Sequence, residues 1–388
     1  MLIFVNSICF PETGKETSGI FVYEQCEELL RLGHQVIVLY PTYRSIKEDN
    51  CFKATHIECS MYGEFNVFKT TYTWVAQTRC PILSALIYSK YLQKCYVEAV
   101  QKYGKPDIIY AHFSLNAGFG AVMLGKKFSI PVVTLEHFSG FINGKINKRT
   151  KYLLNKVIDY SEQFLCVSDH LRTNIIKHTH TNTSLTVLPN MVNDIFEFSE
   201  KATHKEFIFF SVGSLIKRKN FDTLISLFSK TFSVEDNVKL RIAGEGEDKN
   251  ILMELINKCN RKDQIILCGS LNRKQLLSEY QNCDAFVLLS KFETFGIVYR
   301  EAMCVGRPII STRNGGIEYN WNDAYGILVN AGDEEEIMAA LKNMKNNIDR
   351  YDLQYISNCT TELYSSKKIG IQIQNIFKNV IQNFKNKN

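Results

Sequence analysis

Short apolar runs alternate with amphipathic stretches through the first half of the chain. Leu2 to Ile8, Gln35 to Tyr40, Asp107 to His112, Pro131 to His137 and Phe164 to Ser168 are continuous apolar runs of strand length, and read as buried strands. Between them, Ile20 to Leu32 and Asn116 to Phe128 carry apolar positions at helical spacing, and Gly33 follows the first of these where a left-handed cap belongs. Strand and helix in alternation build a parallel, doubly wound sheet.

The alternation restarts after the polar, charged stretch Asn190 to Glu206. Phe207 to Val212, Val238 to Ala243, Gln264 to Cys268, Asp284 to Leu289 and Pro308 to Ser311 read as strands. Phe221 to Thr231, Asp248 to Cys259 and Phe295 to Val305 read as helices. After Ile327 to Val329 the chain turns helical and basic, ending in an amphipathic stretch from Lys367 to Phe384. The pattern therefore predicts an α/β protein of two Rossmann-like, doubly wound domains, residues 1–189 and 190–366. A final helix, about 367–388, could pack back on the first domain. Two such sheets are expected to face each other across a cleft, with ligand at the C-terminal edges of their strands.

Length agrees with two cores, since 388 residues with 45% hydrophobic content exceed one ordinary domain. The net charge of +6 is scattered, without the basic blocks of a nucleic-acid tail, so nucleic acid is not expected as a partner. The twelve cysteines form no C-x-x-C pair and no zinc-like spacing with histidine; Cys166, Cys268 and Cys304 sit in apolar runs, as free cysteines of a reducing compartment do. Met1 to Val5 is a short apolar run that reads as a first strand and not as a signal peptide. No apolar stretch approaches the ~20 residues that cross a bilayer. The expected location is cytoplasmic.

Candidate chemistry concentrates in the second half. Glu293-Thr294-Phe295-Gly296-Ile297-Val298-Tyr299-Arg300-Glu301 follows a strand and opens a helix whose Val298, Ala302 and Val305 can face the core. Thr294, Phe295 and Gly296 then lie at a helix N-terminus, where free N–H groups and the positive dipole end favour phosphate. Glu301 follows about one and a half turns after Gly296, within reach of ribose hydroxyls, while Glu293 stays in the loop near a transferred sugar. Spacing alone also fits an ordinary helix with one glutamate before it and another on its surface. Gly213-Ser214-Leu215-Ile216-Lys217-Arg218-Lys219-Asn220 places three consecutive cations in a turn after a strand, able to face an anionic leaving group or merely to be solvated. Gly244-Glu245-Gly246, Gly269 and Gly315-Gly316 end strands on the same expected sheet edge.

In their order, Val212-Gly213 with Lys219, Ala243 to Gly246, Glu293 to Glu301, Gly306-Arg307-Pro308 and Gly315-Gly316 resemble glycosyltransferase family 4, retaining enzymes of GT-B fold. The resemblance is specific from about Phe207 to Val329. It extends more loosely through Gly19-Ile20-Phe21, Ala111-His112-Phe113, Thr134 to His137 and Pro189-Asn190. It implies that Glu301 binds the donor ribose, Glu293 the donor sugar and Lys219 the diphosphate, with backbone contacts from Phe295 and Gly296. Many relatives carry arginine where this chain has Ser214, and Arg218 or Lys217 is the candidate substitute.

In the first half, Gly19 opens a helix from which a backbone N–H could touch donor phosphate. His137 ends an apolar strand, and the resemblance implies a place near the reacting sugar; His112 and Glu136 are weaker candidates. Phe65 to Lys102 interleaves Trp74, Tyr88, Tyr91 and Tyr96 with Arg79, Lys90 and Lys94, and Lys145, Lys148, Arg149 and Lys151 add a second basic cluster. Such surface suits peripheral contact with an anionic membrane, or an ordinary solvated helix face.

The chain has no D-x-D and no metal-ligand cluster in its spacing, so no metal and no cofactor is expected. The expected reaction is retaining transfer of a sugar, hexosyltransferase in class, from a nucleotide sugar. UDP-sugar is the first choice and GDP-sugar the second, with a saccharide or lipid-linked saccharide as acceptor, in bacterial surface polysaccharide synthesis. An NAD-dependent oxidoreductase lacks its G-x-G-x-x-G after the first strand. An inactive GT-B subunit that stabilises a partner and a GT-B sugar-nucleotide epimerase remain as alternatives.

Overall fold

The computed structural model describes residues 1–12, 17–44, 57–73, 80–144, 146–179, 185–201, 203 and 205–387. The chain divides into two compact units, Met1–Met191 with Ser366–Asn388, and Val192–Ser365.

The first unit runs β1 (Leu2–Ser7), α1 (Ile20–Arg31), β2 (Gln35–Arg44), β3 (Ile57–Tyr62), β4 (Phe65–Thr73), α2 (Pro81–Tyr103), β5 (Ile108–His112), α3 (Phe119–Phe128), β6 (Val132–Glu136), α4 (Lys148–Tyr160), β7 (Gln163–Cys166), α5 (Asp169–Ile176) and β8 (Thr186–Val187). The sheet order is β3-β4-β2-β1-β5-β6-β7-β8, with only β3 antiparallel to its neighbour. Every residue of β5 and β6 is buried, as helices on both faces require. Chain order reverses between β1 and β5, the switch point where doubly wound sheets bind ligands.

One expectation needs correction here, and one stretch left open between two readings can be described. The helix expected from Asn116 begins as a wide π-helical turn, Ser114–Gly118, before α3. The aromatic, basic stretch from Phe65 is a strand and a long helix; Tyr88 and Tyr96 are buried in the core while Lys90 and Lys94 are exposed. Tyr88 and Tyr96 therefore build the core face of α2, and Lys90 and Lys94 lie on its solvated side. Trp74, Arg79 and Lys145 lie outside the described residues.

The second unit runs β9 (Phe207–Val212), α6 (Phe221–Thr231), β10 (Val238–Ala243), α7 (Lys249–Lys258), β11 (Ile265–Gly269), α8 (Arg273–Asn282), β12 (Ala285–Leu288), α9 (Ile297–Cys304), β13 (Ile309–Thr312), β14 (Gly326–Val329), α10 (Glu334–Asn346) and α11 (Leu353–Tyr364). Its six strands are all parallel in the order β11-β10-β9-β12-β13-β14. The switch point falls between β9 and β12, so the loops after these two strands are neighbours. α6 buries Phe221, Leu224, Ile225 and Phe228 along one stripe, each burial stabilising by roughly 1.5–3 kcal/mol. α9 departs from the expected amphipathic helix: it starts at Ile297, Tyr299 to Cys304 are buried without a break, and Val298 is only half-buried.

After α11 the chain returns to the first unit as α12 (Ser366–Lys387), whose buried stripe includes Ile369, Gly370, Ile373, Phe377 and Val380. Gly370 packs on α1, where a Cβ would come 2.3 Å from Glu28 Cγ. The Phe377 ring meets Tyr110 of β5 at 5.0 Å.

Candidate active site

β9 ends at Val212, and the chain turns through Gly213 into a short 3-10 turn, Lys217–Lys219. That turn carries the three consecutive cations, which the fold separates. Lys217 is exposed and pairs with Asp222 at 3.4 Å, so it does not join the other two. The Lys219 ammonium is buried and donates to Oε1 of Glu293 at 2.6 Å, and Arg218 Nη1 reaches Oε2 of the same carboxylate at 3.2 Å. Arg218 also donates to the Phe292 carbonyl at 3.2 Å. Gly213 makes room for this, since a Cβ there would sit 3.2 Å from Lys219 Cε. Ser214 is exposed, and Arg218 is the nearby cation that turns inward.

Glu293 stands in the loop between β12 and α9, held by neighbouring loops. Its N–H donates to the Asn314 carbonyl at 2.9 Å, and Lys291 N–H donates to the Arg218 carbonyl at 2.9 Å. Gly316 lies flat against it, because a Cβ there would come 2.6 Å from Glu293 Cβ. Burial pushes this carboxyl up, but Lys219 and then Arg218 outweigh burial and hold it below the usual glutamate range. The group is a carboxylate in a nest of cations, suited to accept hydrogen bonds from hydroxyls and not to store a proton.

Thr294 and Phe295 lead into Gly296, which caps α9 in the left-handed conformation at φ 72°. A Cβ there would meet the Tyr299 ring at 2.5 Å, so only glycine lets the loop enter the helix this way. No side chain caps this helix, and the Tyr299 N–H already donates to the Gly296 carbonyl at 3.1 Å, which leaves the N–H groups of Ile297 and Val298 at its open end to face an anion. On the far side of the switch point, Gly244 closes against Gly213, whose carbonyl would lie 1.9 Å from an added Cβ.

Glu301 is 1% exposed. Its Oε1 accepts from Arg273 and its Oε2 from the Tyr280 hydroxyl at 3.0 Å. Burial, then the Glu301 charge, raise the Tyr280 phenol well above its ordinary value, so it stays a donor. Neither partner stood out in the sequence, because both come from α8 and their roles depend on packing. Arg307 has a structural job: its guanidinium is fully buried and donates to the carbonyls of Tyr280 and Ser199 at 2.8 Å.

In the first unit, Gly19 caps α1 at φ 70°, and a Cβ would come 2.6 Å from the Cys9 carbonyl oxygen. His112 ends β5 and His137 follows β6; their ring nitrogens, Nδ1 and Nε2, lie 3.0 Å apart. Burial pushes His112 down to about 3, and burial and then His112 hold His137 well below the ordinary value, so both rings are neutral. Phe21 and Phe113 flank His137 at 4.6 and 5.1 Å between ring centroids. Phe113 holds a φ of 71°, a strained value for a bulky residue that no sequence pattern announced. Glu136 accepts N–H bonds from Ser114, His137 and Phe138, bracing the turn that carries these rings. Burial raises its pKa, and these bonds partly oppose the rise.

The geometry has sequence relatives across nearly its whole length. Residues 192–357 match the family profile described as Glycosyl transferases group 1, and residues 18–195 match Glycosyltransferase Family 4. The chain belongs to glycosyltransferase family 4. It is a group 1 glycosyltransferase, a class that uses nucleotide-sugar donors. Among similar sequences, N-acetyl-alpha-D-glucosaminyl L-malate synthase of Bacillus anthracis is 23% identical, matching 100% of this chain and 99% of that protein. Curated relatives of this kind are covered over 62% to 99% of their own length. Two solved structures share the GT-B fold. Sucrose-phosphate synthase from Thermosynechococcus elongatus has a TM-score of 0.79 at 15% identity, covering 98% of this chain and 99% of that one. Anabaena HepE, solved with UDP and glucose, has a TM-score of 0.71 at 14% identity, covering 98% of this chain and 100% of that one.

Proposed function

We propose that this chain is a retaining, metal-independent hexosyltransferase that takes a sugar from a UDP-sugar, with GDP-sugar second, and passes it to a saccharide or lipid-linked saccharide acceptor. The observation that carries the reading is the cluster of Glu293, Lys219 and Arg218 at the β9–β12 switch point, beside the Gly296 entry to α9. UDP comes first because HepE, of the same fold, was solved with UDP and glucose.

Lys219 is pre-placed to exchange its Glu293 partner for a diphosphate oxygen, with Arg218 and the N–H groups of α9 adding positive potential as the leaving group gains charge. Glu293, kept ionised, accepts from hydroxyls of the transferred sugar. Glu301 accepts from the ribose, and Gly19 contributes a backbone N–H to phosphate. Neutral His137 offers the reacting sugar a hydrogen bond and no charge. The leaving phosphate departs on the face from which the acceptor attacks, so the anomeric configuration is kept. Cationic side chains take the role of a metal in this scheme, and among the described residues no three His, Cys, Asp or Glu side chains converge.

The proposed setting is the cytoplasmic side of a bacterial plasma membrane, in surface polysaccharide synthesis. No helix among the described residues is long and apolar enough to cross a bilayer. α4 exposes Tyr152 and Tyr160, with Lys156 lying over both rings at 5.7 and 5.3 Å, a pairing suited to an anionic interface. Failure to sediment with anionic liposomes at physiological salt would remove the membrane contact from this reading.

Thermal unfolding with UDP, GDP, ADP and NAD, each with chelator, tests the donor assignment. A nucleotide at about a hundred times its Kd adds roughly 2.7 kcal/mol of stability. The expected result is stabilisation by one nucleoside diphosphate, lost in Lys219→Ala. Stabilisation by NAD alone, or only with magnesium restored, overturns the corresponding part of the proposal.

A further inference from the structure

Asn314 lies in the loop after β13 and is buried. Its backbone carbonyl accepts the Glu293 N–H at 2.9 Å. Its side-chain oxygen accepts the Gly316 N–H at 3.0 Å, a local turn that sets Gly316 against Glu293, where an added Cβ would come 2.6 Å from Glu293 Cβ. Nδ2 donates to the Tyr299 hydroxyl at 2.9 Å and to Ser311 Oγ at 3.2 Å, so both amide hydrogens are used.

Tyr299 carries the tie onward. Its side chain is fully buried in the first turn of α9, and its hydroxyl donates to the Leu288 carbonyl, at the end of β12, at 3.0 Å. Its ring lies against Gly296, 2.5 Å from where a Cβ would stand. Burial, then the Glu293 charge, raise the Tyr299 phenol above its ordinary value, so the hydroxyl stays a donor. One residue therefore bonds the loop that carries Glu293, the glycine beside it and the entry to α9. An apolar side chain would fill the interior without the cost of burying polar groups, so packing alone does not account for the amide. A buried polar network with every member satisfied fixes geometry.

We infer that Asn314, acting through Tyr299 and Gly316, is a positioning residue for sugar transfer that fixes Glu293 relative to the Gly296 turn. It thereby sets the spacing between the group that holds the donor sugar and the groups that hold the diphosphate. The inference rests on the donor-site reading above and assigns Asn314 no contact with substrate.

The test is a double-variant cycle joined to amide hydrogen exchange, both on the full chain. Turnover is followed as UDP release from UDP-glucose and from UDP-N-acetylglucosamine. Asn314→Ala is expected to lower kcat by about 10- to 100-fold, with UDP affinity changed less than about threefold. In the Glu293→Gln background the same change should cost less than about twofold more, because the group it positions is already lost. Tyr299→Phe, which removes one hydroxyl, should shift kcat the same way and by less. Losses that multiply in the double variant overturn the inference. Exchange needs no substrate: peptides covering Glu293 and Gly316 are expected to exchange at least about tenfold faster in Asn314→Ala, with β10 and α6 unchanged. Unaltered exchange at Glu293, or equal acceleration throughout the second unit, also overturns it. If the unaltered protein releases UDP from neither sugar nucleotide, the donor reading fails and the exchange result decides the positioning role by itself.

Discussion

Lys219 Nζ lies 2.6 Å from Oε1 of Glu293 across a sequence separation of 74 residues, and both groups are buried. The pair joins the loop after β9 to the loop after β12. Removing one partner of a buried pair typically costs about 3–5 kcal/mol, because the other is left charged and unpaired. Arg218 remains beside Glu293, so we expect Lys219→Met to lose roughly 2–3 kcal/mol, at or below the low end of that range. The double variant Lys219→Met/Glu293→Gln should recover most of it in urea unfolding while activity stays absent. A double variant no more stable than Lys219→Met would mean the pair is not the source of the loss.

Glu293→Gln separates binding from chemistry. Neutralising the carboxylate frees Lys219 and Arg218, so UDP should bind at least as tightly as before by calorimetry. Turnover should fall by about 100- to 1,000-fold, the size seen when a preorganised polar group is lost. Because the cations hold the Glu293 carboxyl below its usual range, its ionisation should not limit activity between about pH 5 and 8. A carboxylate limb in that window, present in the unaltered enzyme and absent in Glu293→Gln, would contradict the assignment.

Gly316→Ala should act on Glu293 without touching a ligand. Its Cβ would stand 2.6 Å from Glu293 Cβ, so the loop must shift. We expect kcat to fall by at least about tenfold, since misplacement by about an ångström is costly. The thermal midpoint should drop far less than for Gly244→Ala, whose Cβ would meet a backbone oxygen at 1.9 Å with φ at 139°.

Tyr280→Phe leaves the Oε2 side of Glu301 without its phenol donor. A buried acceptor so orphaned costs about 1–3 kcal/mol. We expect KM for the donor to rise with kcat nearly unchanged, because the ribose contact is the same in ground and transition states. A fall in kcat at constant KM would argue against a ribose role for Glu301.

The neutral pair His112 and His137 gives stability a pH dependence of defined sign. Both pKa values are lowered in the folded state, that of His112 to about 3. Above the unfolded value of about 6.5 neither state is protonated and the pair's stability is fully present. As pH falls below about 6.5 the unfolded chain gains protons first, and stability drops by up to roughly 1.4 kcal/mol per pH unit for each ring, levelling only near the folded values. The raised pKa of Glu136 works in the opposite direction. The difference between the unaltered protein and His112→Asn therefore isolates the histidines: the variant's slope between pH 6.5 and 4 should be shallower, and equal slopes would refute the pairing.

Apolar runs and helical spacing made β1, β2, β5, β6, β7 and β9 to β13 legible in the sequence, though not β3, β4 or β8, and β9, β10 and α6 fall on the residues their patterns indicated. That pattern is local, because each element's burial writes its own period. Gly213, Gly244, Gly296 and Gly316 could be read for the same reason, as turn positions after strands. Other features were decided only by the tertiary structure. Phe65 to Lys102 could be read as a membrane-facing surface or as a solvated helix face over a core, and folding turned Tyr88 and Tyr96 inward. Three adjacent cations looked alike until the turn after β9 sent Lys217 to Asp222 and Lys219 to Glu293. The partners of Glu301 and the contact between His112 and His137 depend on which strand lies beside which. Sheet order sets that, through pairings between distant segments that no local period encodes.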